Sequence, residues 1–270
     1  MPSTTALAEI SQRIQAAQDR AQPLGSLRER YPDFDLAAGY MVADMVHRRR
    51  CEQGWTPIGR KIGFTNPAMW ASYGVHEPIW GYVYANTVVY CGDRLAVCRL
   101  ARYCEPKIEP EIVLHLRTPP TGATIEEVLA SVDWFACAFE VVHSHFPGWR
   151  FSAAEAVADG ALHGGLYVGT PQPITALGSN PTAALETFRL SLYRDDIEVE
   201  VGHGSNVLGS PLRALAHLVD LLPDGSALLR PGDLISTGTL TAARTVCVGE
   251  KWHYRVEGLV APRLTLSFAD

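Results

Sequence analysis

Glu109 and Glu111 stand two residues apart in Lys107-Ile108-Glu109-Pro110-Glu111-Ile112-Val113-Leu114, a run that otherwise reads as a strand. Residues i and i+2 of a strand point to one face, so the two carboxylates project together. Like charges held side by side are unfavourable unless something positive joins them. A hard divalent cation, Mg²⁺ or Mn²⁺, would do so through carboxylate oxygens. The alternative is an exposed strand bearing two solvated glutamates. Pro110 cannot donate a ladder hydrogen bond, which predicts a strand edge or a bulge at this point.

A third carboxylate favours the metal. Glu140 ends the apolar run Trp134-Phe135-Ala136-Cys137-Ala138-Phe139 and is followed by Val141-Val142. A buried, ionised carboxylate is costly unless paired or metal-bound. Lys61, in Gly59-Arg60-Lys61-Ile62-Gly63-Phe64, alternates with residues suited to packing, so it could face a site. A lone lysine is more often a surface residue.

These pieces, with Glu77-Pro78, Gly81, Ala158-Asp159, Gly204-Ser205-Asn206-Val207-Leu208-Gly209-Ser210-Pro211 and Gly232-Asp233-Leu234-Ile235-Ser236-Thr237-Gly238-Thr239, occur in one order. In that order the chain, from about residue 35 onward, resembles the fumarylacetoacetate hydrolase superfamily. Within it, the likeness is to the 2-oxopent-4-enoate hydratase and 4-oxalocrotonate decarboxylase branch. The resemblance implies that Glu109, Glu111 and Glu140 bind Mg²⁺ or Mn²⁺ and that Lys61 is an active-site lysine. It implies that Thr239 touches the substrate, that the segment from Pro67 to Tyr84 covers the site, and that the protein is a homo-oligomer.

The elements that must position these groups follow from patterning. Helices are expected over Thr4–Ala21, about Asp35–Glu52 with Asp35 as cap, Ile125–Ser131, Ala153–Ala158 and Pro211–Leu222. The run Arg48-Arg49-Arg50 is expected to be a solvated last turn that suits the helix dipole. Strand signals mark Pro57–Phe64 and then dominate from Thr87, at Val88–Tyr90, Ile112–Leu116, Trp134–Val142, Leu166–Val168, Phe188–Tyr193, Ile197–Val201, Asp233–Thr237, Arg244–Val248 and Leu264–Phe268. Asp195-Asp196 reads as a hairpin turn. Helices first and strands after predict an α+β fold. By resemblance its body is a rolled mixed β-sandwich. The expected division is a helical region with the covering segment at 1–85 and a β-rich catalytic body at 86–270.

Composition bounds the function. The chain has 270 residues, 47% hydrophobic and 19% charged, with net charge −6. A nucleic-acid or anionic-membrane partner is not suggested. No apolar run approaches a span of roughly 20 residues, and no basic-then-apolar start marks a secretion signal, so a cytoplasmic location is expected. Cys51, Cys91, Cys98, Cys104, Cys137 and Cys247 lack Cys-x-x-Cys spacing and are read as free thiols, with one bridge among Cys91, Cys98 and Cys104 as the alternative.

The chain departs from the family pattern at three places. Ile79 stands after Glu77-Pro78 where the hydratases generally carry Asp. His143-Ser144-His145 replaces an Asp-Ser-Arg sequence; either histidine could ligate metal or lie in a polar loop. Asp159-Gly160-Ala161-Leu162-His163 replaces an Asp-Asn pattern. His163 could supply the missing acid–base group, since histidine titrates near neutrality, or could be structural. Asp159 is expected to act in catalysis by orienting its neighbours.

The resulting expectation is a metal-dependent lyase that hydrates a small 2-hydroxydienoate or 2-oxoalkenoate to a 4-hydroxy-2-oxo acid. Lys61, His163 and Asp159 are the catalytic candidates; Ile79, Trp80, Leu162 and Thr239 are the candidates for touching substrate. Ile79 and Leu162 would make the distal end of the pocket apolar, which favours monocarboxylic substrates. An oxalocrotonate-type decarboxylase and an acylpyruvate C–C hydrolase would use the same metal site. The non-enzyme alternative is a binding or structural homologue that has lost its acid–base group.

Overall fold

In the computed structural model, residues 1–222 and 228–270 are described, apart from the side chains of Met69, Ser72 and Tyr73. Tyr73, in the segment from Pro67 to Tyr84 that is expected to cover the site, thus lies outside the described side chains. The helices are α1 Thr4–Arg20, α2 Leu27–Arg30, α3 Leu36–Glu52, α4 Trp70–Tyr73, α5 Ile125–Ser131, α6 Ala153–Ala158, α7 Pro181–Thr187 and α8 Pro211–Leu221. The strands are β1 Pro57–Gly63, β2 Ile79–Tyr84, β3 Val88–Gly92, β4 Leu95–Arg99, β5 Lys107–Leu116, β6 Val132–Val142, β7 His163–Gly169, β8 Gln172–Pro173, β9 Arg189–Arg194, β10 Ile197–His203, β11 Leu234–Thr239, β12 Arg244–Thr245, β13 Lys251–Glu257 and β14 Thr265–Ala269.

The strands form two sheets. Nine belong to a curled mixed sheet whose main path is β2-β1-β11-β5-β6-β7-β3, and five run β10-β9-β13-β14-β4. The main core lies between them, with Phe135, Phe139, Leu190, Leu192, Trp252 and Tyr254 among its buried members. The α+β expectation is borne out. β1 and β2, although early in the chain, pair into the larger sheet beside β11.

Local chemistry explains the elements. Asp35 caps α3 by accepting from the Ala38 amide, and Asp195 and Asp196 turn the β9–β10 hairpin with φ of 48° and 65°. Leu7, Ile10 and Ile14 of α1 pack with Val42 and Val46 of α3 and Ala154 and Ala158 of α6 in a separate apolar cluster. The helical layer is thereby fixed to the residues that follow β6.

Two expectations need correction. Arg50 is buried rather than solvated: it pairs with Asp19 at 2.5 Å and lies over the Trp55 ring, while Arg48 is the exposed member of the run. Pro110 lies on a central strand, not an edge, because β5 has β11 on one side and β6 on the other. The bulge exists, but on β11, where the register jumps from Ser236↔Val113 to Thr239↔Glu111. Pro110 lacks only a donor; its carbonyl accepts from the Leu240 amide at 2.9 Å.

Candidate metal centre and active site

The carboxylate trio assembles through the β5–β6 ladder. Glu109 lies directly opposite Glu140, and Glu111 lies opposite Ala138. Ligand oxygens of Glu109, Glu111 and Glu140 come within 4.8 Å of one another. Glu111 and Glu140 are fully buried and Glu109 is half-buried.

Each carboxylate is held from a different element. Glu111 Oε2 accepts from the Ser236 hydroxyl and from the Gly238 amide at 3.0 Å. The β11 bulge aims that amide: Gly238 has φ of 101°, and a Cβ there would stand 1.8 Å from Thr65 Oγ1, so only glycine fits. Glu140 Oε2 faces Lys61 Nζ at 3.0 Å, and Glu140 Oε1 faces His163 Nδ1 at 2.7 Å.

Electrostatics divides the trio. Burial works against Glu140 ionising, yet Lys61 and His163 outweigh it and hold its pKa down at about 2. Burial raises Glu109 to about 7, and burial with Glu140 beside it raises Glu111 well above the carboxylate range. Burial likewise opposes the Lys61 ammonium, but Glu140, Glu109 and Glu111 prevail and raise its pKa. Three closely set carboxyls with one lysine cannot all ionise comfortably; a divalent cation would reverse the upward shifts. Glu111 Oε1 is buried without a hydrogen-bond partner. An all-oxygen donor set with an unpartnered oxygen fits a hard cation such as Mg²⁺.

A narrow cavity of about 40 Å³ opens beside the trio. Lys61, Glu109, Ile79, Leu162 and Thr239 line it, so five of the expected site residues meet there. Phe64, Val142, Trp149, Ala161 and Ala243 give it a mainly apolar wall. Phe64, Trp149, Ala161 and Leu162 all have positive φ, between 55° and 65°. Such backbone is uncommon outside glycine and concentrates where function fixes the geometry.

Other expectations land elsewhere. Trp80 points away from this cavity because β2 alternates faces: Ile79 is buried toward it, while Trp80 stacks on Tyr40 and lines a separate cavity of about 890 Å³. Asp159 is buried behind the site, 2.8 Å from His145 Nδ1, and accepts from Gln18 Nε2 at 3.2 Å. His143 Nδ1 accepts from the Cys104 amide at 3.4 Å, and Arg150 borders a different surface groove. Neither histidine of 143–145 belongs to the trio. Thr239 turns its hydroxyl onto the Thr241 carbonyl at 2.8 Å. All six cysteines are free.

Sequence reasoning passed over Ser236, Gly238, Thr65 and Thr87 as site residues. Ser236 was within reach, since strand alternation from Lys61's neighbour β11 places it on the carboxylate face; the others depend on the bulge and on chain crossings.

The family model for the fumarylacetoacetate hydrolase C-terminal domain matches residues 75–266. The chain belongs to the fumarylacetoacetate hydrolase family. It is 30% identical over 269 residues to a 2-keto-4-pentenoate hydratase of Paraburkholderia phymatum, covering 99% of this chain and 100% of the relative. It is 29% identical over 252 residues to a 4-oxalocrotonate decarboxylase of Pseudomonas putida, covering 93% and 92%. A solved structure of 4-oxalocrotonate decarboxylase from Pseudomonas putida G7, complexed with magnesium and adipate, superposes with a TM-score of 0.90 at 26% identity over 99% of each chain. A fumarylpyruvate hydrolase from Pseudomonas aeruginosa, at 16% identity and TM-score 0.60 over 79% of this chain, shares the fold.

Proposed function

We propose that this protein is a metal-dependent hydro-lyase that converts a monocarboxylic 2-hydroxydienoate to a 4-hydroxy-2-oxo acid, as in aromatic catabolism. The observation that carries the reading is the trio of Glu109, Glu111 and Glu140 beside a cavity lined by Ile79, Leu162, Ala161 and Phe64. The relatives named as hydratases support the reaction class.

Glu109, Glu111 and Glu140 would hold Mg²⁺ or Mn²⁺. When bound, such an ion supplies positive charge where the substrate's 2-oxygen and carboxylate gain negative charge. Lys61 stands beside the trio as an ammonium and delivers a proton to the distal carbon of the diene; the 2-hydroxyl gives up its own proton, which restores the ammonium, and an enone remains. Water then adds at carbon 4, its hydroxyl forming the new C–O bond and its proton going to carbon 3. The apolar wall excludes other water from the enone. The cavity of about 40 Å³ has room for roughly three waters, less than a five-carbon acid, so the wall near Phe64 and Asn66 must open for substrate.

The wall sets specificity. A second carboxylate against Ile79 and Leu162 would be desolvated without a partner, at several kcal/mol. Lys107 lies over the Trp149 ring at 3.8 Å and interacts with Glu109. A second reading, decarboxylation of a dicarboxylic 4-oxalocrotonate type of substrate, is favoured by the overlay with the decarboxylase solved with adipate. The discriminating measurement is kcat/KM, followed by loss of dienoate ultraviolet absorbance and by CO₂ release. The expected result is faster turnover of 2-hydroxypenta-2,4-dienoate than of its dicarboxylic counterparts, with Ile79→Asp, which sets a like charge against a second carboxylate, widening the gap. Faster turnover of the dicarboxylates with CO₂ release would replace hydration by decarboxylation.

Assembly as a homo-oligomer is part of the proposal. Val89, Tyr90, Leu95 and Val97, exposed on β3 and β4 at the ends of the two sheets, support it as apolar edges suited to burial. Light scattering at micromolar concentration should report more than one chain per particle, in a cytoplasmic protein with no membrane or nucleic-acid partner.

A further inference from the structure

We infer that Thr87 is a positioning residue for the metal centre, acting through His163 on Glu140; this rests on the metal-site reading above. The three groups form one hydrogen-bonded chain that runs from the buried Glu140 to the half-buried Thr87. His163 Nδ1 is 2.7 Å from Glu140 Oε1, and His163 Nε2 is 2.8 Å from Thr87 Oγ1. Thr87 is itself fixed: its hydroxyl is 2.9 Å from the Tyr84 carbonyl, and the Tyr84 amide approaches its oxygen at 3.4 Å.

The fold builds this chain from two elements. His163 begins β7, opposite Val142 of β6, two residues past Glu140. Thr87 ends the 3-10 turn Ala85–Thr87 that enters β3, and β3 runs parallel to β7. The threonine is thereby carried to the far side of the imidazole from the carboxylate.

The chemistry requires a hydroxyl at this position. Glu140 Oε1 can only accept while the carboxylate is ionised, so Nδ1 carries the proton that joins them. The opposite nitrogen then either donates or accepts, and a hydroxyl oxygen serves both cases. An ammonium could serve only one of them, and an apolar side chain neither. With Nε2 tied down, the ring cannot rotate, and Oε1 stays turned toward His163 while Oε2 faces Lys61. The orientation of Glu140 toward Glu109 and Glu111 is therefore set from a residue that touches none of the three. Partners hydrogen-bonded to a metal ligand, as His163 is to Glu140, commonly change affinity 10- to 100-fold when removed, and Thr87 acts through such a partner.

Thr87→Val keeps the shape of the side chain and deletes the hydroxyl; Thr87→Ser restores it. The experiment titrates Mg²⁺, and separately Mn²⁺, into the unmodified protein and both variants by calorimetry, with thermal unfolding of the metal-free proteins alongside. The expected result is about a tenfold or greater weakening of cation binding in Thr87→Val, recovery in Thr87→Ser, and metal-free melting temperatures too close to explain the loss. A purely structural role would lower the melting temperature of Thr87→Val without a selective loss of affinity. Equal affinity in Thr87→Val and the unmodified protein overturns the inference while leaving the metal site standing. Absence of cation binding in the unmodified protein overturns both. Should Thr87→Val not fold, Thr87→Ala and Thr87→Cys give the same comparison, and affinity equal to that of the unmodified protein in either would overturn the inference.

Discussion

Two buried histidine–carboxylate pairs sit close together in this protein and serve different ends. His163 meets Glu140 at 2.7 Å, and His145 meets Asp159 at 2.8 Å, each through Nδ1. Glu140 shares its second oxygen with Lys61 and its face with Glu109 and Glu111. Asp159 accepts instead from the His145 amide and from Gln18 of α1, and it ends α6. One pair therefore adjoins the carboxylate trio and the other ties the helical layer to the sheet. Pair geometry is the same in both; the neighbours decide the role.

Substitutions in the two pairs should separate along this line. Glu140→Gln removes a donor from the trio, and turnover should fall by about 10³-fold or more, since metal charge stabilisation is worth several kcal/mol. The protein should stay folded, because Glu109 and Glu111 remain to balance Lys61. Calorimetry with Mg²⁺ should show binding lost; unchanged affinity in both Glu140→Gln and Glu109→Gln would remove the trio from the site. Asp159→Asn should do the reverse. Breaking this buried pair should cost roughly 3 kcal/mol of stability, seen in urea unfolding, with cation affinity retained. Lost cation affinity in a still-folded Asp159→Asn would move Asp159 into the metal centre.

Acid should act through the histidine beside the structural pair. Burial, then the charge of His145, holds the His143 pKa down at about 4. The unfolded chain takes up this proton near the ordinary value of about 6.5, while the native protein does not. Stability from this group is thus full above about pH 6.5 and falls as pH drops toward 4, by roughly 2–4 kcal/mol. Unfolding measured at pH 7.5 and 4.5 should show the loss, and His143→Gln should flatten it; parallel acid profiles would contradict the assignment. The smallest effect is expected from Gln18→Ala. It removes the bond to Asp159 and one to Arg50, and should cost about 1 kcal/mol without touching turnover.

The same pairs show what could be read from the chain alone. Glu109 and Glu111 share a face because strand side chains alternate, and Glu140 was conspicuous as a charge in an apolar run. Those are local properties, so the trio was legible. His163 is expected as a replacement acid–base group and Asp159 as a group that orients its neighbours. The chain alone does not show that Gly160, Ala161 and Leu162 between them take positive φ, and that the two side chains meet different neighbours. Trp80 was misplaced, since its strand, β2, had not been recognised as one and its alternation was not applied.

Periodicity, capping residues and turn residues determined most elements of this protein: α1, α3, α5, α6, α8, the β9–β10 hairpin and the strands bearing the carboxylates. These depend on forces that act within a few residues. The short strands β2, β4 and β13 and the helix α7 were not foreseen, because their form depends on partners far along the chain. Only the tertiary structure decided that β11 bulges at Gly238 to aim an amide at Glu111, that Arg50 is buried, and that Thr87 stands behind His163. Each is a contact across a long stretch of sequence, where the favourable geometry is fixed by sheet register and packing rather than by the residues on either side.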